Sequence, residues 1–72
     1  MMGQLRMEIE LNGVPHPITE NQSVQELIAS LDLTGKSLAV AINREVVPRH
    51  LWQQRVLLPS DRVDIVKAIG GG

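Results

Sequence analysis

The sequence ends in three consecutive glycines, Gly70, Gly71 and Gly72, which follow directly on Ile69. Glycine has no side chain to pack and loses the most backbone entropy on ordering, so we expect these residues to form a mobile tail outside the fold. Extended, three residues carry a terminal carboxyl about 10 Å beyond Ile69.

A carboxylate on a tether without side chains can enter a narrow channel in a partner enzyme. There it can attack the α-phosphate of ATP, and pyrophosphate leaves as an acyl adenylate forms. Reaction with a persulfide or another sulfur donor then gives a terminal thiocarboxylate, a soft nucleophile that a second enzyme can use. In this scheme Gly72 reacts, Gly70 and Gly71 thread into the partner sites, and the catalytic groups belong to the partners. The alternative interpretation is a frayed terminus without function.

The composition favours a small module over a self-contained enzyme. A chain of 72 residues makes one domain, and such a domain buries only about 60% of the surface that its unfolded chain exposes. Cysteine is absent, which excludes a disulfide framework and a cysteine nucleophile. His16 and His50 lack a ligand-type spacing, so we expect no bound metal and no bound cofactor.

The charge pattern bears on location and partners. The net charge of −1 argues against nucleic-acid binding. We expect neither a membrane span nor a signal peptide, and a cytoplasmic protein that is monomeric when free. Residues 1–32 hold one basic and five acidic residues, whereas residues 33–72 hold six basic and three acidic ones. This division is either an ordinary solvated surface or a docking surface, with Arg49, Arg62 and Ile69 as docking candidates.

Sequence patterns predict a β-hairpin followed by a helix. Residues 7–11 alternate apolar and acidic residues, and Asn12-Gly13 is a strong hairpin signal. The two prolines of residues 14–18 place the return strand at a sheet edge. Ser23 and Glu26 form a capping box that begins a helix at residues 23–32, with Gly35 as the C-terminal stop. One apolar stripe of that helix comprises Val24, Leu27, Ile28 and Leu31.

Three further strands are predicted at residues 38–42, 45–47 and 63–69. We expect Trp52 to anchor the loop between the last two of them. The order of elements indicates an α+β fold of the β-grasp (ubiquitin-like) type, a mixed sheet of about five strands with one helix on one face. The domain would span residues 1–69, and residues 70–72 would be the tail. The helix stripe is predicted to pack on Ile9, Leu11, Val40, Ile42 and Ile65.

The chain resembles the ThiS family of ubiquitin-like sulfur carriers along nearly its whole length. The residues that carry this resemblance are 9–13, 23–28, 41–43, 47–49, Trp52 and 71–72. One departure stands before the last strand, where Ser60-Asp61 replaces the usual Gly-Asp turn. We expect Asp61 still to supply the turn chemistry.

The resemblance implies a protein co-substrate of thiamine biosynthesis rather than an enzyme. In that family a ThiF-like enzyme uses ATP to adenylate the residue that corresponds to Gly72, and a persulfide donor supplies sulfur. A ThiG-like synthase then receives the sulfur for the thiazole. Two alternatives share the Gly-Gly terminus, the small subunit of molybdopterin synthase and a ubiquitin-like protein modifier. Residues 43–49 with Trp52 favour ThiS over both, and the short chain favours it over the molybdopterin-synthase subunit.

Overall fold

The computed structural model describes residues 7–67, which form one five-stranded mixed sheet with a helix across it. The elements are β1 (Met7–Leu11), β2 (Val14–Ile18), α1 (Val24–Ser30), β3 (Leu38–Ile42), β4 (Glu45–Val46), a 3₁₀ turn (Arg49–Leu51) and β5 (Arg62–Lys67). The strand order is β2-β1-β5-β3-β4. The β1–β5 pair is parallel and the other neighbouring pairs are antiparallel. The predicted β-grasp fold is confirmed.

Two hairpin turns join the outer strands to the sheet. Asn12 and Gly13 have φ values of 50° and 84°, the positive pair that a type I′ turn requires. Asn43 and Arg44 repeat this geometry between β3 and β4, with φ values of 53° and 72°. The predicted edge position of the proline-containing strand β2 is also confirmed, because β2 is the first strand of the order.

Helix α1 begins as the sequence predicts. The Ser23 hydroxyl accepts a hydrogen bond from the Glu26 N–H at 3.1 Å, and the Glu26 carboxylate accepts one from the Ser23 N–H at 2.9 Å. This reciprocal pair satisfies two N–H groups that the first turn leaves without helical partners.

The predicted end of the helix is wrong, because α1 ends at Ser30 and Gly35 lies in a later turn. Asp32 takes the left-handed conformation, with φ 61°. Its N–H donates to the Ala29 carbonyl at 3.0 Å, and the Leu33 N–H donates to the Ile28 carbonyl at 3.1 Å. These two bonds form a Schellman motif. The motif satisfies two of the last helical carbonyls. Its left-handed residue, Asp32, lies three residues before Gly35, the stop that the sequence pattern predicted.

The hydrophobic core lies between α1 and one face of the sheet. Ile9, Val40, Ile42, Val63 and Ile65 are buried on that face and Val24, Leu27 and Ile28 on the helix. Leu11 and Leu31, which were predicted to be buried, are only partly buried at the margin of the core. Leu57 is also fully buried, although the sequence patterns did not predict it as a core residue. It reaches the core because its N–H bonds to the Gln22 carbonyl at 2.8 Å, which ties this segment to the start of the helix.

Trp52 anchors the connection between β4 and β5, as predicted. Its side chain is 2% exposed, and its indole N–H donates to the Val47 carbonyl at 2.8 Å. The Arg49 guanidinium lies over the ring, 4.9 Å from the centroid, a cation–π contact.

The turn before β5 shows what Asp61 and Ser60 each do there. The buried Asp61 carboxylate accepts hydrogen bonds from the Leu58 N–H at 2.9 Å and from the Asn43 amide at 3.1 Å. It also pairs with Arg55 at 3.5 Å. Asp61 therefore supplies the expected turn chemistry. Ser60, however, has φ 71°, a left-handed conformation that costs a residue with a Cβ about 1–2 kcal/mol.

Candidate functional site

The predicted reactive tail follows the central strand of the sheet in sequence. β5 lies between β1 and β3 and is described as far as Lys67. Gly72, Gly70, Gly71 and the docking candidate Ile69 lie outside the described residues. What the structure defines is the C-terminal end of β5, the last described element before them in sequence, which we call the exit end.

Three other parts of the chain meet at the exit end. The first residue of β3, Leu38, lies opposite Lys67. β1 runs parallel to β5 with Leu11 opposite Val63, so the Asn12-Gly13 turn lies at the same end. The connection from α1 to β3 arrives there too, because it leads into Leu38.

Asn12 contacts β5 beyond the last paired residue of β1. Its backbone N–H donates to the Val63 carbonyl at 2.8 Å. Its side-chain oxygen accepts from the Ile65 N–H at 2.8 Å, and its side-chain nitrogen donates to the Ile65 carbonyl at 3.3 Å. The hairpin pattern predicts Asn12 as a turn residue and carries no signal for these contacts.

Asn43 makes comparable contacts at the other end of β5. Its backbone N–H donates to the Arg62 carbonyl at 2.8 Å, and its side-chain oxygen accepts from the Arg62 N–H at 3.0 Å. The side-chain nitrogen donates to Asp61 at 3.1 Å. The two turn asparagines thus hold the central strand near its two ends.

Some basic residues lie at the exit end of β5 and Arg62 lies at its opposite end. Lys67 ends β5, Lys36 lies two residues before Leu38, and the Arg49 guanidinium donates to the Lys36 carbonyl at 2.8 Å. These three cations belong to the exit end, and no described salt bridge involves them. Arg62 begins β5 and pairs with Asp64 at 3.7 Å. Lys67 lies five positions further along β5, a distance of about 17 Å. Arg49 and Arg62 are therefore not one patch.

The sheet face opposite α1 carries exposed apolar side chains. Val66, next to Lys67, is 58% exposed, and Val46 on β4 is 74% exposed. Ala39 and Ala41 join them across β3, since Ala39 lies opposite Val66 and Ala41 opposite Val46. Glu8 and Glu10 are exposed on β1, where water can solvate their charges.

Within residues 7–67, other kinds of site find little support. No group of three or more His, Asp or Glu residues there could hold a metal ion. An open groove of about 440 Å³ lies beside β4, lined in part by Val46, Val47, Leu51 and Arg55. The α-helix described within residues 7–67, α1, has seven residues and is too short to span a membrane.

The fold and the exit end together define a class, a β-grasp domain whose central strand leads into a glycine-rich C-terminus. A sequence profile described as the ThiS family matches residues 9–72. The chain belongs to the ThiS family.

Relatives and solved structures agree with this assignment. The chain is 33% identical over 66 residues to the sulfur carrier protein ThiS of Escherichia coli, an alignment that covers 92% of this chain and 100% of that protein. The crystal structure of the thiamine biosynthesis protein ThiS from Geobacter metallireducens matches with a TM-score of 0.79 and 28% identity, covering 92% of this chain and 100% of that one. A thiazole synthase of Magnetococcus marinus is 35% identical over 66 residues, which are 92% of this chain and 20% of the synthase.

Proposed function

We propose that this chain is a sulfur carrier in thiamine thiazole biosynthesis, a protein co-substrate and not itself an enzyme. The observation that carries the proposal is the family match, which runs from Ile9 through Gly72 and so includes both the β-grasp domain and the terminal glycines. The Gly72 carboxyl is the proposed reactive group, and Gly70 and Gly71 let it enter the active sites of partner enzymes.

The proposed chemistry has two stages. A ThiF-like enzyme binds ATP, and the Gly72 carboxylate attacks the α-phosphate. Pyrophosphate departs as the leaving group, and a glycyl adenylate is formed. The terminal sulfur of a persulfide then attacks the glycyl carbonyl carbon and AMP leaves. A thiol cleaves the S–S bond of the resulting acyl disulfide, which releases the thiocarboxylate. The carrier binds no cofactor of its own, and it works in the cytoplasm, where ATP is available.

The proposed acceptor of the sulfur is a ThiG-like thiazole synthase. In the Magnetococcus marinus thiazole synthase, a segment similar to this chain forms part of the same polypeptide as the rest of the synthase. The thiazole synthase of Paramagnetospirillum magneticum shows the same relation, with 30% identity over 66 residues and 20% of its length covered. Covalent attachment in those proteins supports a partnership between the two parts where they are separate chains.

The proposed docking surface for the adenylating enzyme is the basic exit end, namely Lys36, Arg49 and Lys67, together with Ile69. A basic surface at the C-terminal end of β5 steers association with an acidic rim around the partner's channel. Arg62 contributes less than Arg49, because it lies at the far end of β5 and is paired with Asp64.

Charge reversal tests this surface. Lys67→Glu is expected to lower the association rate constant with the adenylating enzyme about three- to tenfold at low salt, because it removes one attractive charge and adds a repulsive one. Arg62→Glu is the matched control on the same strand, and Glu8→Lys is the control in the acidic half; both are expected to have smaller effects. Stopped-flow binding at two salt concentrations gives the measurement. Equal effects from all three variants would remove the functional meaning of the basic exit end.

The proposed function itself is tested by mass analysis. The purified chain is incubated with ATP, a ThiF-like enzyme and a persulfide donor, and we expect one terminal oxygen to be replaced by sulfur. Addition of a ThiG-like synthase with its thiazole precursors should return the carboxylate form. A ladder of larger conjugates in cells would instead indicate a protein modifier. Sulfur delivery only to a pterin would indicate the molybdopterin-synthase alternative, and an unchanged mass would refute all carrier functions.

A further inference from the structure

At the exit end, the central strand β5 extends further than its parallel neighbour β1. The last paired residue of β1, Leu11, lies opposite Val63, and the chain then turns away through Asn12 and Gly13. β5 continues through Lys67. On the β1 side the next peptide groups of β5 to need partners are the N–H and C=O of Ile65. In a longer β1 the backbone would supply both partners.

The Asn12 side chain takes the place of that missing backbone. A carboxamide has the same donor and acceptor groups as a peptide unit, and Asn12 uses both on Ile65, at 3.3 Å and 2.8 Å. The two residues are 53 positions apart in sequence. Because its φ is 50°, the site favours Asn or Gly over other residues, and only Asn offers the amide.

We propose that Asn12 is a positioning residue for sulfur loading. Its amide holds β5 at Ile65, seven residues before Gly72, and so sets the direction in which the C-terminal residues leave the sheet. This inference rests on the proposed function. When the adenylating enzyme binds the domain, a well-held strand directs the Gly72 carboxyl to the α-phosphate of ATP. A loosened strand lets the carboxyl sample more positions, and catalysis is sensitive to displacements on the order of 1 Å.

Asn12→Gly removes the amide and keeps a residue that tolerates positive φ, so the turn is retained. We expect the kcat of ATP–pyrophosphate exchange, with the carrier as the varied substrate, to fall about tenfold. KM should change less than about twofold, because the amide is not among the charged groups proposed for docking. Asn43→Gly is the matched control, since it removes an equivalent amide from the opposite end of β5 at a similar φ. It should leave both constants near the wild-type values.

Amide hydrogen exchange at Ile65 gives an independent readout. It should be faster in Asn12→Gly and unchanged in Asn43→Gly, at temperatures where circular dichroism shows both variants folded. Asn12→Asp keeps the acceptor for the Ile65 N–H and loses the donor, so an intermediate kcat is expected, which tests the role even if the glycine variant unfolds.

The outcomes separate this inference from the function on which it rests. A wild-type chain that supports no exchange refutes the proposed adenylation. If the wild-type chain is active and the Asn12→Gly variant has the same kcat, the positioning role is overturned and the proposed function is not. An equal fall in kcat for Asn43→Gly also overturns it, because the effect would then be one of general stability.

Discussion

Gly71→Val is expected to reduce ATP–pyrophosphate exchange with the adenylating enzyme by about 100-fold or more, while the domain stays folded. A β-branched side chain widens the chain next to the reactive carboxyl and restricts its χ1 and backbone angles. A misplacement on the order of 1 Å at a reacting group can cost about 10²-fold in rate. The measurement is exchange of labelled pyrophosphate into ATP at saturating carrier, with circular dichroism to verify the fold.

Two further variants sharpen this result. Gly71→Ala adds only one methyl group and should lose less activity than Gly71→Val. One extra residue after Gly72 displaces the carboxyl by about 3.5 Å, so it should be as damaging as the valine. Normal exchange in both the valine and the extended variants would show that the C-terminus is not the reactive part. Sulfur found by mass analysis anywhere except at the terminal carboxyl would have the same meaning.

Leu27→Ala is expected to lower the free energy of unfolding by about 2–5 kcal/mol. Leu27 is 0% exposed at the centre of the α1 face that packs on the sheet, and truncation removes buried methyl groups and leaves a cavity. A domain of 72 residues has a total stability of roughly 4–11 kcal/mol, so the loss is a large part of it. Urea denaturation followed by circular dichroism measures the change.

Leu58→Ala is the matched control for the core substitution. It deletes the same atoms from a side chain that is 56% exposed, and we expect a change below about 1 kcal/mol. Similar losses of stability at Leu27 and Leu58 would contradict the core as the structure defines it. Protection of the amides of Val24–Ser30 from hydrogen exchange should also fall in Leu27→Ala and persist in Leu58→Ala.

Local interactions explain why much of the fold could be read from the sequence. The Asn12-Gly13 turn depends on the φ preferences of two adjacent residues, and the Ser23–Glu26 capping box on two bonds across one helical turn. The alternation in β1 depends on which face of one strand meets the core. Each of these is complete within a few residues, so composition and spacing suffice to predict it.

The end of α1 is a feature that nearby residues alone did not predict correctly. Gly35 is the residue with the best intrinsic preference for a left-handed stop, and it does have φ 87°. The helix nevertheless ends earlier, because Leu33 packs against the core and its N–H reaches the Ile28 carbonyl. The position of the core decided between two possible stops.

The residues of the candidate site were likewise predicted in part from the sequence and in part known only from the tertiary structure. The terminal glycines and their proposed chemistry follow from residue type and order, and the tertiary structure describes neither. Only the tertiary structure assigned Arg49 to the exit end and Arg62 to the opposite end of β5, because strand direction and pairing are long-range properties. The same holds for Asn12, whose partner Ile65 is 53 residues away. A turn motif specifies the backbone of Asn12, but what its amide contacts depends on which strand the fold brings beside it.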